Sequence, residues 1–378
     1  MKLSVPFVDL KAQYLSIQHE IDTAIKNVIT ETAFIGGNYV KSFEKTFAEQ
    51  YGVNHVISCA NGTDSLYIIM KMLGIGEGDE VITAANSWIS SSETITQAGA
   101  KPVFVDIDPL YYSMDEELLQ AAITPRTKAV IAVHLHGQMC AVDSIKTICD
   151  KNEITLIEDC AQSHFSEYKG IRAGLTGIAG SFSFYPGKNL GAYGDAGCMI
   201  TDNEALAIKC RMYANHGALI KHQHQVEGIN SRMDGLQASI LLAKLPYIHK
   251  WTEKRIEIAS LYNEILSDIK EITLPALRPN SKHSYHLYVL LAPHRNELLQ
   301  YLKEHGVEAA IHYPCILPLL PAYNYLGYTA EDFPVAYNCQ QKIISLPVYP
   351  ELTKEQVHYT GELIRTFYKN KKGISSAQ

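Results

Sequence analysis

The chain has 378 residues, beyond the size at which one core usually keeps growing, so two domains are expected. Hydrophobic residues make up 47% and charged residues 19%, which excludes a disordered chain and provides for a sizeable core. The formal net charge is −7 with the basic residues scattered, which excludes the electrostatic footprint of a nucleic-acid binder.

The N-terminus "MKLSVPFVDLKAQY" lacks the apolar core of a signal peptide, and no stretch is long enough to cross a bilayer. A cytoplasmic protein without membrane contact is expected. The eight cysteines include no C-x-x-C pair and several lie in apolar runs, so they are expected to be reduced and buried.

From about residue 53 to 202, strand-like and helix-like segments alternate at short spacing. Strands are predicted at 55–60, 79–85, 101–108, 128–137, 154–161, 181–186 and 197–202. Most are rich in Val and Ile and apolar on both faces, the pattern of buried parallel strands in an α/β layer architecture. A helical pattern over 234–266 follows, long enough to connect two domains. Beyond it come a strand at 284–292, a helix over 294–306, a strand at 309–314 and a terminal helix from Thr353 to Tyr368. The polar tail "KNKKGISSAQ" is expected to fray. The domain expectation is residues 1–249 for the large unit and 250–378 for a smaller mixed one.

Three segments could carry chemistry. In "SCANGTDSL" a strand ends, Asn61 and Gly62 turn, and a helix starts near Thr63, which offers free N–H groups to an anion such as phosphate. An ordinary capped helix has the same sequence appearance. In "LIEDCAQSH" an apolar strand ends in Glu158 and Asp159, with Gln162 and His164 close behind. Carboxylates at the C-terminal ends of parallel strands sit where α/β folds bind ligands, although Asp159 could equally cap a helix or pair with an arginine. In "SFSFYPGKNLGAYGDAG" Lys188 lies among Gly187, Gly191, Gly194 and Gly197, which are expected to let the backbone turn tightly. Desolvation at such a place lowers a lysine's pKa and frees its amine as a nucleophile toward carbonyls. A phosphate, a protonated ring nitrogen and an aldehyde are together the binding features of pyridoxal 5'-phosphate.

These segments, with "GAKPVFVDID", "INSRMDGLQASIL" and "PFVDLKAQY", resemble the DegT-type (DegT/DnrJ/StrS) nucleotide-sugar aminotransferases from residue 6 to about 350. The resemblance implies the type I aminotransferase fold: a mainly parallel seven-stranded sheet in a large pyridoxal phosphate domain, plus a smaller α/β C-terminal domain. It also implies a homodimer with shared active sites. It makes Lys188 the lysine that holds the cofactor aldehyde, Asp159 the partner of the pyridine nitrogen and Gln162 a contact to the ring hydroxyl. Gly62, Thr63 and Ser183 would hold the phosphate, with Asn230 from the neighbouring subunit, and Trp88 would stack on the ring. Tyr185, His312 and Tyr313 would face the sugar, although the last two also suit a buried strand.

The implied reaction moves an amine from L-glutamate to a nucleotide-linked keto sugar. Lys188 favours transamination, because a branch of the superfamily that deoxygenates instead has histidine there. The segments "YPGKNLGAYGDAG" and "IHYP" resemble members acting at C-3, which points to a dTDP-3-keto-6-deoxyhexose and a dTDP-3-amino-3,6-dideoxyhexose product. The alternatives are amination at C-4, a UDP-linked 3-keto acetamido sugar, or a non-catalytic regulator built on the same fold. Ala196 departs from the family's glycine by one methyl group. Phe165 replaces a small residue and is expected to reshape the sugar pocket. His216, His222 and His224 lack a completing ligand, so a loop over the active site is favoured above a metal site, and no metal is expected.

Overall fold

The computed structural model describes residues 3–375. Seven strands form the central sheet: β1 (His55–Cys59), β2 (Glu80–Ala84), β3 (Lys101–Val105), β4 (Thr127–Val133), β5 (Thr155–Asp159), β6 (Ala179–Ser183) and β7 (Gly197–Thr201). Their spatial order is β1-β7-β6-β5-β4-β2-β3, and only β7 runs against the others.

Both faces of the sheet are covered, which is why its strands read as nearly continuous apolar runs. Successive side chains on a strand point to opposite faces. In β4, Val130 and Ala132 join a core with Phe43 and Phe47, while Ala129 and Ile131 join another with Leu66 and Ile68. All five residues of β2 and of β7 are buried.

A smaller antiparallel pair, β8 (Tyr288–Leu291) and β9 (Ile343–Leu346), packs with the helices Ile248–Leu266, Arg295–Glu304 and Lys354–Ser375. Tyr262, Tyr288, Leu298, Ile344 and Ile364 form its core, joined by Val5 from the start of the chain. Ile316, Tyr323, Phe333 and Ala336 instead return to the core beside the large sheet. Asp106, just past β3, fastens that return by accepting from the Val335 and Ala336 N–H groups, each at 2.8 Å.

The structure corrects several boundaries. The helical stretch predicted over 234–266 is two helices, Gly235–Lys244 and Ile248–Leu266, joined by a tight turn at Leu245–Tyr247. Pro246 in that turn has no N–H to give a continuous helix. The strand predicted at 309–314 does not form; Ala310 alone bridges Ser345. The terminal helix continues through the residues expected to fray as far as Ser375, and 376–378 lie outside the described residues. No helix among the described residues is long and apolar enough to cross a membrane.

Candidate active site

A cavity of about 790 Å³ opens where β4, β5 and β6 end, lined by Val133, Asp159 and Ser183 from those three strands. It gathers Gly62, Thr63, Trp88, Gln162, Tyr185, Lys188, His312 and Tyr313 around them. Ten of the eleven residues assigned to the cofactor or the sugar therefore meet in one place. Asn230 does not line it: this residue is exposed, on a segment that bridges to Asn215.

The helix Gly62–Met72 begins at the cavity. Asn61 is its N-cap, its side-chain oxygen accepting from the Asp64 N–H at 2.8 Å. Among the described residues the Gly62 and Thr63 N–H groups have no partner, as expected for the first turn of a helix. Gly62 is required by close approach: a Cβ there would lie 2.7 Å from the Ser183 Cβ. Ser231, beside Asn230, ties this corner down by donating to Asp64 at 2.6 Å and accepting from the Ala60 N–H at 3.1 Å.

Asp159 ends β5 with its carboxylate held between two donors, the Ser91 hydroxyl at 2.8 Å and the Ala161 N–H at 3.1 Å. Ser91 in turn is hydrogen-bonded to Ser87 at 2.8 Å. Asp159 pairs with no arginine among the described residues, so the salt-bridge alternative falls away. Its neighbour Glu158 points to the other side of the strand, as the period of two requires. There it meets His134 at 2.7 Å and the N–H groups of Gly174, Thr176 and Gly177. Burial opposes both charges, but His134 and these N–H groups hold Glu158 below the usual carboxylate range, and the Cys140 thiol together with Glu158 raises the His134 pKa. Glu158 thus fixes the turn between β5 and β6 from behind the site.

His134, Glu158 and Cys160 also form a group whose ligand atoms could meet a metal ion. The bonds that Glu158 makes give a sufficient structural account of it. His216, His222 and His224 are not gathered as ligands; His224 bonds the His216 carbonyl at 2.7 Å and none of the three lines the cavity.

Lys188 is half-buried in the cavity wall, and its amine has no hydrogen-bond partner among the described residues. Desolvation lowers its pKa from 10.5 to about 8, with Asp159 pulling the other way. Its loop does turn tightly, the Lys188 N–H donating to the Tyr185 carbonyl at 2.8 Å. Gly187, Gly191, Gly194 and Gly197 all have ordinary φ, so left-handed turning is not their purpose. Close approach is what Gly191 provides: a Cβ there would lie 2.3 Å from the Pro186 carbonyl oxygen. Buried Lys244 clamps the same point by donating to the Gly191 carbonyl at 2.7 Å.

On the far wall, Gln162 accepts from the His136 N–H at 2.7 Å and donates to the Tyr313 hydroxyl at 3.0 Å. Tyr313 lies against Trp88, ring centroids 5.6 Å apart, and His312 bonds Ser345 at 2.8 Å. Phe165 is a correction: it is fully buried against Tyr51 at 4.6 Å and does not reach the cavity. Its φ of +55° lies in the left-handed region that favours glycine. Ser87, Ser91, Ser231 and Lys244 were missed because single serines and lysines carry no sequence signal; only their partners reveal them.

The DegT/DnrJ/EryC1/StrS aminotransferase family matches residues 15–365. The chain belongs to this family. A Geobacillus stearothermophilus relative named "Pleiotropic regulatory protein" is 40% identical, over 97% of this chain and 100% of its own length. A UDP-2-acetamido-2-deoxy-3-oxo-D-glucuronate aminotransferase of Pseudomonas aeruginosa is also 40% identical, over 92% of this chain and 96% of its own. A dTDP-3-amino-3,6-dideoxy-alpha-D-galactopyranose transaminase of Aneurinibacillus thermoaerophilus is 38% identical, over 96% of this chain and 99% of its own. The crystal structure of Streptomyces venezuelae DesV in complex with a ketimine intermediate superposes with a TM-score of 0.94 at 34% identity, covering 96% of this chain and 98% of that one.

As a DegT-family member the chain is a sugar aminotransferase with the type I fold, and its cofactor is pyridoxal phosphate. The cavity fits that cofactor. It offers open N–H groups at a helix start, a backbone cradle at Gly62 that a Cβ would fill, a carboxylate at a strand end and an unpartnered amine of lowered pKa.

Proposed function

We propose that this enzyme moves an amine from L-glutamate to C-3 of a dTDP-linked 3-keto-6-deoxyhexose, giving a dTDP-3-amino-3,6-dideoxyhexose. The observation that carries amino transfer is the free Lys188 amine facing Asp159 in a cavity floored by a helix N-terminus. Support for C-3 comes from the relatives at 38% and 40% identity, whose names place the amine or oxo group at position 3 of the sugar.

Gly62, Thr63 and Ser183 would hold the cofactor phosphate, and Asn230 of a second subunit would complete its shell. Asp159 would face the pyridine nitrogen, Gln162 the ring hydroxyl and Trp88 the ring itself. When bound, pyridoxal phosphate supplies an aldehyde for amine exchange and a ring that withdraws electrons from the reacting carbon. The rest is proton management by this chain. The Asp159 carboxylate would stabilise a proton on the pyridine nitrogen, and Ser91 and Ala161 keep it from turning away. Lys188 would take the proton from the amine-bearing carbon of the donor in the first half-reaction and give one to the sugar carbon that receives the amine in the second. A pKa of about 8 leaves a useful share of the amine uncharged near neutral pH. Tyr185, His312 and Tyr313 would meet the sugar from the open side.

The enzyme is read as a cytoplasmic homodimer. Support for the dimer is the position of Asn230 outside its own chain's cavity, together with exposed Phe34, Ile35, Leu219 and Ile220. A division at residues 249 and 250 is likewise our reading, supported by the separate core around Tyr262 and Tyr288.

Purified protein supplied with L-glutamate and a panel of dTDP- and UDP-linked 3-keto and 4-keto sugars tests this reading, with the new amine located by NMR. Amination of the dTDP-3-keto sugar is expected; product aminated only at C-4, or only on the UDP sugar, would overturn the choice. Lys188→Ala in the same assay should lower turnover by about 10²- to 10⁴-fold. Undiminished turnover in that variant would overturn the role of Lys188, whereas no turnover by the wild type with any of these sugars would favour the non-catalytic regulator.

A further inference from the structure

We propose that Arg255 binds a carboxylate of the amino donor, so that the site takes an anionic amino acid in preference to a simple amine. The inference rests on the reading of L-glutamate as donor and names the group that recognises it. Arg255 sits on the helix Ile248–Leu266, is 4% exposed, and lines the same cavity as Lys188.

The guanidinium is held on one side only. Its Nη1 donates to the Val348 carbonyl at 2.6 Å and the Tyr285 carbonyl at 3.1 Å. These bonds orient the group without neutralising it. Its Nε is buried and has no partner, and Nη2 makes no hydrogen bond among the described residues. No carboxylate among the described residues lies within ion-pairing distance of Arg255. Glu351 acts on it only at longer range, and burial raises the Glu351 pKa, which weakens that countercharge.

A buried cation without a counterion is costly, and proteins retain one chiefly where something fills the gap. The unfilled atoms are Nε and Nη2, one edge of the planar fork, and two parallel N–H groups match the two oxygens of a carboxylate. Of the carboxylates that also line the cavity, Asp159 is engaged by Ser91 and Ala161 and Asp64 by Ser231, and Asp195 does not lie within ion-pairing distance of Arg255. His286, also in the lining, is kept well below its ordinary pKa by burial, so it stays neutral and leaves the anion to Arg255.

The test uses the holoenzyme and separates binding from folding. Arg255→Gln and Arg255→Lys both retain a donor for the two carbonyls. The structure predicts that Arg255→Gln raises the half-saturation constant for L-glutamate in the first half-reaction by about 10- to 100-fold, the effect of losing charged hydrogen bonds. Arg255→Lys should recover part of it. The rate with an amine that lacks a carboxylate, such as butylamine, should be the same in wild type and Arg255→Gln. The half-saturation constant for the keto sugar in the second half-reaction should also stay put. Succinate titrated calorimetrically into holoenzyme should bind the wild type and lose affinity in Arg255→Gln by a similar factor. Equal succinate affinity in both proteins, or equal losses toward glutamate, butylamine and sugar, would overturn the proposal. A wild-type holoenzyme that takes no amine from L-glutamate but binds succinate through Arg255 would refute glutamate as donor and leave the carboxylate site standing.

Discussion

At the scale of single residues, the lysine is defined by what it lacks. Lys188 has no hydrogen-bond partner among the described residues and sits where desolvation takes its pKa from 10.5 to about 8. In cofactor-free protein its reaction with an added aldehyde should therefore rise through pH 8 and level off, whereas an ordinary lysine keeps rising toward 10.5. The sign for stability follows from the same shift. The unfolded chain holds the proton more tightly, so between about pH 8 and 10.5 this group makes the cofactor-free fold more stable as pH rises. A rate of aldehyde capture, read by absorbance, with a midpoint near 10 would contradict the burial argument. Glu158 shows the opposite use of a buried charge: with His134 and three N–H groups around it, it fixes backbone instead of reacting.

At the scale of elements, the site depends on backbones that approach closely. The helix Gly62–Met72 points its first turn at the end of β6, and a Cβ at Gly62 would collide with the Ser183 side chain. Gly62→Ala must push the helix start away from the strand, at a strain of about 1–3 kcal/mol. Cofactor affinity should fall by about tenfold or more, measured by spectral titration, while the far-ultraviolet circular dichroism stays native. Unchanged affinity would mean that the helix start is not part of the cofactor site. The loop from Pro186 to Gly191 follows the same rule at Gly191, which is needed for contact with a carbonyl oxygen rather than for a left-handed turn.

At the scale of the whole molecule, Lys188 and Asn230 test whether sites are shared between subunits. If they are, a mixture of Lys188→Ala and Asn230→Ala protomers forms hybrid dimers in which one site has both residues intact. Each variant alone should be impaired, and unfolding and refolding them together should restore activity, reaching about a quarter of the wild-type value for random pairing. No gain on mixing would place Asn230 outside the partner's site.

The sequence alone located the seven strands of the central sheet and the candidate cofactor residues that meet in the cavity, because both have local signatures. Buried parallel strands read as Val- and Ile-rich runs, and "NGTDS", "EDCAQ" and "PGKN" keep reactive groups at fixed offsets from strand ends. What it could not show was anything set by packing between distant segments. The break at Pro246 and the single bridge of the 309–314 segment differ from the sequence reading because a helical or apolar pattern does not reveal where a partner is missing. Phe165 looked like a pocket residue, yet the fold turns it into the core through a left-handed backbone. The serines that hold Asp159 and Asp64, the Lys244 clamp and the unpaired edge of Arg255 come from residues dozens to more than a hundred positions away from their partners. Only the tertiary structure brings them together, because a hydrogen bond depends on a distance in space that no local pattern encodes.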